Sequence, residues 1–344
     1  MSRVSCKQLV LVALACLPFG SSASGGPIQW VTVGDPGNAA DTSPSGYGAV
    51  ATSFQIMKYE FTTQQYADFL NSKAATDAYS LYNASMGSNA RGGITRSGVS
   101  GAYTYSVKNN MGDKPVNFVS WWDAARVANW YHNGATNSSS TETGAYTLSG
   151  AVSGSAVAVN EGATFYIPTE NQWYKASYYK GGSTIAGYWD YATQSDTEPT
   201  PVTADSTGVG SAGGSGNFAN FDSAAFWNGQ VGNVTTVGTN GGASAYGAFD
   251  MGGNLYEWND LTGASNAARG VRGGDWGNGV TSIDLASSER RIGDPSIEHN
   301  FIGFRLAAPV VVPEPSTYAM ALAGLACGGW QMWRRRRLRH TSNG

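Results

Sequence analysis

Apolar and polar positions recur with a clear period in only a few short runs of this chain, and each run predicts one element. Ile28-Gln29-Trp30-Val31-Thr32-Val33 is rich in β-branched and aromatic residues, and Phe54-Gln55-Ile56-Met57-Lys58-Tyr59-Glu60 partly alternates, so both predict strands. Thr62 with Gln65 three residues on has the spacing of a capping box. Tyr66, Phe69 and Leu70 then share one helical face, which predicts a helix from Thr63 to Asn71. Ser120 with Asp123 starts a second helix at Trp121 that runs through Trp130. Gly134 ends it after His132, a histidine that reads as a stabiliser of the helix end. Thr169 with Gln172 repeats the capping spacing and opens a third helix, with Trp173 and Ala176 on its buried face. Gly87 to Gly101 and Thr203 to Gly216 have loop composition, and the Ser/Thr/Gly tract from Asn137 to Gly154 reads as a surface hairpin or insertion.

The densest stretch of the chain has neither period. Ala245-Tyr246-Gly247-Ala248-Phe249-Asp250-Met251-Gly252-Gly253-Asn254-Leu255-Tyr256-Glu257-Trp258 is followed closely by Val271-Arg272-Gly273-Gly274-Asp275-Trp276. Glycines at these spacings permit backbone conformations that other residues resist, and Tyr246, Phe249, Tyr256 and Trp258 can carry a core around an irregular loop. Asp250, Glu257 and the carbonyls of Gly253 and Leu255 together offer hard oxygen ligands of the kind that suit calcium. The alternative is a buried turn with no ligand.

Composition narrows the classes. In 344 residues the hydrophobic share is 41% and the aromatic share 12%, enough for a sizeable core, while 46 glycines and only 13% charged residues point to long ordered loops. The formal net charge of −3 hides an asymmetry: setting aside the terminal segments leaves 14 of the 21 basic residues and 23 of the 24 acidic ones. An acidic middle repels nucleic acid, so no nucleic-acid partner is expected. The three cysteines, Cys6, Cys16 and Cys327, all lie in terminal hydrophobic segments, which leaves the middle with no disulfide, zinc-thiolate site or thiol nucleophile. The three histidines, His132, His299 and His340, are too scattered for a histidine-rich metal centre.

The run Gly247 to Trp258, then Arg272-Gly273-Gly274-Asp275-Trp276, then Ile302-Gly303-Phe304-Arg305-Leu306 resembles the signature of the formylglycine-generating enzyme (sulfatase-modifying factor) family. Tyr59-Glu60-Phe61-Thr62 and Ile167-Pro168-Thr169-Glu170 with Trp173 are similar to further segments of that family. The resemblance implies an α+β, C-type-lectin-like fold, loop-rich with little regular secondary structure. It implies a calcium site at Asp250, Gly253, Leu255 and Glu257, and matches Asn220 and the Phe221 carbonyl to a second calcium position. There the downstream acid is replaced by Asn228, Gly229 and Asn233. The family oxidises a substrate cysteine to formylglycine with copper held by two cysteines. Those positions fall near Asn278 and Ile283, an amide and a hydrocarbon, so copper is not expected.

The ends read as processing segments. Residues 1–23 carry Arg3 and Lys7, an apolar stretch and the small-residue exit Ser21-Ser22-Ala23, as secretory signals do. Residues 310–344 carry Pro313-Glu314-Pro315, an apolar helix over about 316–333 and Arg334 to Arg337. This order resembles a PEP-CTERM sorting signal, with an exosortase-type sorting enzyme as partner and transient anchoring in the membrane. The sequence therefore predicts one domain over residues 27–309 that is exported to the cell envelope or beyond. Its expected role is non-catalytic binding of a carbohydrate, protein or other envelope component. The alternatives are an enzyme of the same superfamily with a cysteine-independent mechanism, and a structural matrix or biofilm protein.

Overall fold

The computed structural model describes residues 27–43, 46–277, 279–310 and Trp330. The signal-like start, the three cysteines, Asn278, and Pro313, Glu314 and Pro315 with all of the following apolar run except Trp330 lie outside the described residues. Among the described residues no helix is long and apolar enough to cross a membrane.

The chain enters through β1 (Trp30–Val33) and β2 (Phe54–Met57), then forms α1 (Thr63–Lys73), the single turn α2 (Ser85–Ser88) and the hairpin β3 (Ile94–Ser97) and β4 (Thr104–Val107). After α3 (Trp121–His132) and α4 (Glu170–Tyr178) come short strands, β5 (Thr200–Pro201), β6 (Phe218–Ala219), β7 (Tyr256–Asn259), β8 (Arg269–Arg272), β9 (Arg291–Gly293), β10 (Ile302–Gly303) and β11 (Ala307–Pro309), with one 3-10 turn (Ser282–Leu285) between β8 and β9. Two sheets frame the domain. β2 is the middle strand of the first, antiparallel to both β1 and β11, so that Ile56 faces Val31 on one side and Ala307 on the other. The second has the order β10-β7-β8-β9, with β10 parallel to β7 and the other pairs antiparallel.

All three predicted capping boxes form. Thr62 Oγ1 accepts from the Gln65 amide at 3.3 Å while Gln65 Oε1 accepts from the Thr62 amide at 2.9 Å, and Ser120/Asp123 and Thr169/Gln172 repeat the exchange. Each box satisfies two backbone N–H groups that a helix start otherwise leaves open. α1 runs two residues beyond Asn71, with Lys73 as its last residue, and α3 ends at His132 with Gly134 at φ 92° just beyond, the left-handed geometry that a glycine best tolerates. The second strand stops at Met57, short of the predicted Glu60, because the Phe61 amide turns to the Phe304 carbonyl and the chain enters the cap of α1.

The apolar faces of α1 and α3 meet in the largest core, which contains Phe69, Leu70, Trp121, Trp122, Trp130 and Trp258. Phe69 packs on Trp130 with ring centroids 5.5 Å apart, and Phe61 stacks on Phe304 at 4.9 Å. The Asn137 to Gly154 tract is not a superficial insertion. Asn129 of α3 donates to the carbonyls of Thr141 and Tyr146 and accepts from the Tyr146 amide, and Tyr146 is itself fully buried. One side chain thereby satisfies three backbone groups that the irregular tract leaves unpaired.

Candidate functional site

The glycine-rich turn from Asp250 to Asn254 is pinned on both flanks. The Gly253 amide donates to the Gly273 carbonyl at 2.7 Å, the Asn254 amide to the Asn220 carbonyl at 2.8 Å, and the Trp276 amide to the Asn254 carbonyl at 3.1 Å. Asp250, Gly253 and Asn254 all take left-handed φ, between 54° and 81°. A Cβ at Gly253 would lie 2.5 Å from the Asn220 carbonyl oxygen, so neither the conformation nor the space admits a larger residue.

This turn delivers a buried charged centre. Arg305, between β10 and β11, is fully buried and grips Glu257 of β7 with two nitrogens, Nε to Oε2 at 2.6 Å and a terminal nitrogen to Oε1 at 2.5 Å. The same guanidinium donates to the carbonyls of Met57 at 3.1 Å and Phe249 at 2.9 Å, tying the first sheet to the turn. Trp173 of α4 donates its indole N–H to Glu257 Oε2 at 2.9 Å. Asp250 accepts from the Gly238 amide and from Asn240 Nδ2, and Asn254 Nδ2 donates to Glu60 Oε2 at 2.8 Å. Three carboxyls, Glu60, Asp250 and Glu257, thus surround one guanidinium.

The excess of acid shows in their ionisation. Burial lifts Glu60 well above the usual carboxylate range, Asp250 and Glu257 push it further, and Arg305 and Asn254 only partly oppose them. Asp250 is also raised, first by burial, against the hydrogen bonds from Gly238 and Asn240. For Arg305, burial works against the charged form, but Glu257, Glu60 and Asp250 outweigh it and raise the guanidinium further. Glu60 Oε1 is buried and has no hydrogen-bond partner.

The residues predicted to hold calcium are therefore near one another without forming a ligand set. Both oxygens of Glu257 are turned onto Arg305, and Asp250 is committed to an amide N–H and an asparagine NH2. A divalent cation there would have to displace a guanidinium of like charge, so this arrangement fits an internal arginine and does not fit calcium. The Leu255 side chain packs with Trp227 and Trp276. At the other predicted position, Asn220 points Nδ2 at the Asn233 carbonyl, Thr235 Oγ1 and Asn254 Oδ1, at 2.8, 3.0 and 3.1 Å, so an amide occupies the centre of these oxygens. The Phe221 carbonyl closes a local turn by accepting from the Ala224 amide at 3.3 Å. No group of three or more His, Cys, Asp or Glu side chains able to hold a metal occurs among the described residues.

Two further buried acids, Glu170 and Asp260, are paired with arginines. Glu170 Oε1 receives Arg272 at 2.8 Å and Arg290 at 2.7 Å, and Asp260 receives Arg269, the Trp121 indole and the Tyr146 hydroxyl. Ile283, one of the two positions matched to the copper cysteines, stands 64% exposed on a 3-10 turn, and its side chain has no donor. His132 Nδ1, at the end of α3, accepts from the Thr164 amide at 3.1 Å and lies 2.9 Å from Thr164 Oγ1, so its ring ties the helix to a distant loop. The sequence alone gives no role to Arg305 or Glu60. The available signal was a charge inside an apolar run, since Ile302, Phe304, Leu306 and Ala307 around Arg305 are all buried.

The model of the sulfatase-modifying factor enzyme 1-like domain matches residues 20–310 of the chain. A search of curated proteins found no match. Among solved structures the chain is similar to CarF, at 22% identity and TM-score 0.47 over 83% of this chain and 99% of that one. It is similar also to the Treponema denticola variable protein 1, at 17% identity and TM-score 0.49 over 82% and 95% of the two chains. A third is PvdO from Pseudomonas aeruginosa, at 20% identity and TM-score 0.41 over 83% and 92%.

Proposed function

The chain belongs to the sulfatase-modifying factor enzyme 1-like family, and from that premise we propose that it is a non-catalytic member, exported and sorted to the cell envelope, that binds an envelope or extracellular component. One observation carries the reading. The matched residues 20–310 contain no cysteine. The family resemblance implies a copper centre held by two thiolates, and neither an amide nor a hydrocarbon side chain replaces a thiolate toward that metal. The scaffold remains without its reaction, and a rigid, loop-rich scaffold is suited to presenting a binding surface. The signal-like start and the Pro313-Glu314-Pro315 tail support the location.

The test pairs two measurements on the full-length protein. It should leave a sulfatase-type cysteine peptide unconverted under oxygen and copper, and it should bind isolated envelopes of the producing cells saturably. Conversion above a copper-only control refutes the non-catalytic reading. Binding that never saturates favours a matrix component over a receptor for a discrete ligand.

A further inference from the structure

A cavity of about 340 Å³ lies between α4 and β9, bordered by Tyr47, Asn171, Thr262, Asn266, Arg290 and Ile292 among others. Its volume falls at the lower end of the range for small-ligand sites. The neutral polar side chains of its wall have committed their acceptors inside the protein. Asn171 Oδ1 accepts from the Gly48 amide at 3.0 Å, Asn266 Oδ1 from the Ala268 amide at 3.2 Å, and Thr262 Oγ1 from the Ala264 amide at 3.4 Å. A backbone N–H can only donate, so these contacts fix which way both carboxamides point. Their NH2 groups and the Thr262 O–H are left as donors with no partner among the described residues. Arg290 adds charge to this donor-rich wall. Its Nε donates to Glu170 Oε1 at 2.7 Å, its guanidinium lies 5.3 Å from the centre of the Tyr47 ring, and its two terminal nitrogens make no hydrogen bond among the described residues. Glu170 and Tyr47 both border the cavity, so the guanidinium held between them stands at its wall, with 29% of the side chain exposed. Glu170 Oε1 also receives the buried Arg272 at 2.8 Å. Two guanidiniums thus share one carboxylate, and the wall keeps an excess of positive charge.

We propose that this cavity is a binding site for a carboxylate-bearing sugar, a hexuronate, whose carboxylate accepts from the terminal N–H groups of Arg290 while its hydroxyl oxygens accept from Asn171, Asn266 and Thr262. The planar fork of a guanidinium matches the two oxygens of a carboxylate. One guanidinium in excess suits a monoanion, whereas a phosphate ester carries about −1.5 to −2 near neutral pH. A cation would be repelled, and a neutral sugar would leave the charge of Arg290 without a counterpart. Leu261 and Ile292, the latter 52% exposed, offer apolar surface to the C–H groups of the ring. The proposal deepens the binding-module reading and rests on it, adding the chemical class of the ligand and the residues that contact it.

The probe is sodium D-glucuronate, titrated into the full-length protein by calorimetry, with D-glucose as the neutral ring of the same shape. Glucuronate should bind saturably and glucose should not. Arg290→Leu should weaken glucuronate by roughly tenfold or more, the loss of a charge-assisted hydrogen bond, while Arg272 still pairs with Glu170. Asn266→Asp supplies the test if Arg290→Leu does not fold. It is isosteric, lies at an exposed position and keeps the oxygen that accepts from the Ala268 amide, but it replaces a donor with a negative charge, so binding should be lost. Equal binding of glucose and glucuronate, inorganic phosphate binding as tightly as glucuronate, or unchanged binding by either folded variant overturns the site. Envelope binding that persists when glucuronate does not bind also overturns it, and leaves the binding-module reading standing.

Discussion

The half of the domain built on α1 and α3 and the half built on the Asp250 to Asn254 turn are held by different forces. In the first, Phe69, Leu70, Trp121, Trp122 and Trp130 lose all or nearly all contact with water, each such burial contributing about 1.5–3 kcal/mol. In the second, Asn220, Asp250, Asn254, Glu257 and Arg305 are also buried, and they cohere through specific hydrogen bonds and an ion pair. A buried ion pair contributes little net stability, since desolvation offsets attraction, but breaking it leaves an uncompensated charge. The contrast is that the apolar half should lose stability by degrees, whereas the polar half should fail as a unit.

The largest effect should come from Arg305→Met. It removes the guanidinium that offsets Glu60, Asp250 and Glu257 and strands the Met57 and Phe249 carbonyls, so a loss of about 3–5 kcal/mol is expected in urea unfolding. Adding Glu257→Leu should recover part of that loss, because the double variant no longer buries the unpaired Glu257 charge. Strict additivity of the two changes would break the comparison, since it would mean the centre is not one cooperative unit.

Cap substitutions probe the other half and should be smaller. Thr62→Ala removes one side-chain acceptor at the start of α1 and should cost about 1 kcal/mol in the same assay. Ser120→Ala should cost more, toward ~2 kcal/mol, because the Ser120 hydroxyl also donates to Asp123. That carboxyl is fully buried and pushed up to about 8 by burial and by Glu298. Equal losses at the two caps would show that the buried hydroxyl adds nothing beyond an ordinary helix start.

The same contrast decides what the sequence revealed. Helix starts are local: Thr62 and Gln65, Ser120 and Asp123, and Thr169 and Gln172 each sit three residues apart, so spacing alone located α1, α3 and α4. The aromatic anchors Tyr256 and Trp258 were also readable, as large side chains beside glycines that had to pack somewhere. The pairs of the polar half are distant along the chain. Glu257 meets Arg305 across 48 positions and Glu60 meets Asn254 across 194. No local period encodes such a partner, so the acids at Asp250 and Glu257 read as metal ligands or as parts of a buried turn, and Arg305 as their partner stayed hidden. The Asn137 to Gly154 tract was misread as superficial for the same reason, because its anchor is Asn129 on a neighbouring helix.

The smallest expected effect is that of calcium, and it separates the two readings of the turn. A cation coordinated by Asp250, the Gly253 and Leu255 carbonyls and Glu257 would bind only the folded state. It would stabilise that state by about 2.7 kcal/mol at roughly a hundredfold excess over its dissociation constant. In the observed arrangement Arg305 already provides the positive charge, so the melting temperature after thorough chelation should not change when calcium is restored. Glu257→Gln gives the complementary measurement. It should destabilise the calcium-free protein, because the carboxylate that pairs with a fully buried guanidinium becomes neutral. Were the turn a calcium site, the same substitution would spare the calcium-free fold and abolish only a calcium-dependent rise. A rise in wild-type melting with calcium, lost in Glu257→Gln, would require Arg305 to release Glu257 and would return the turn to metal binding.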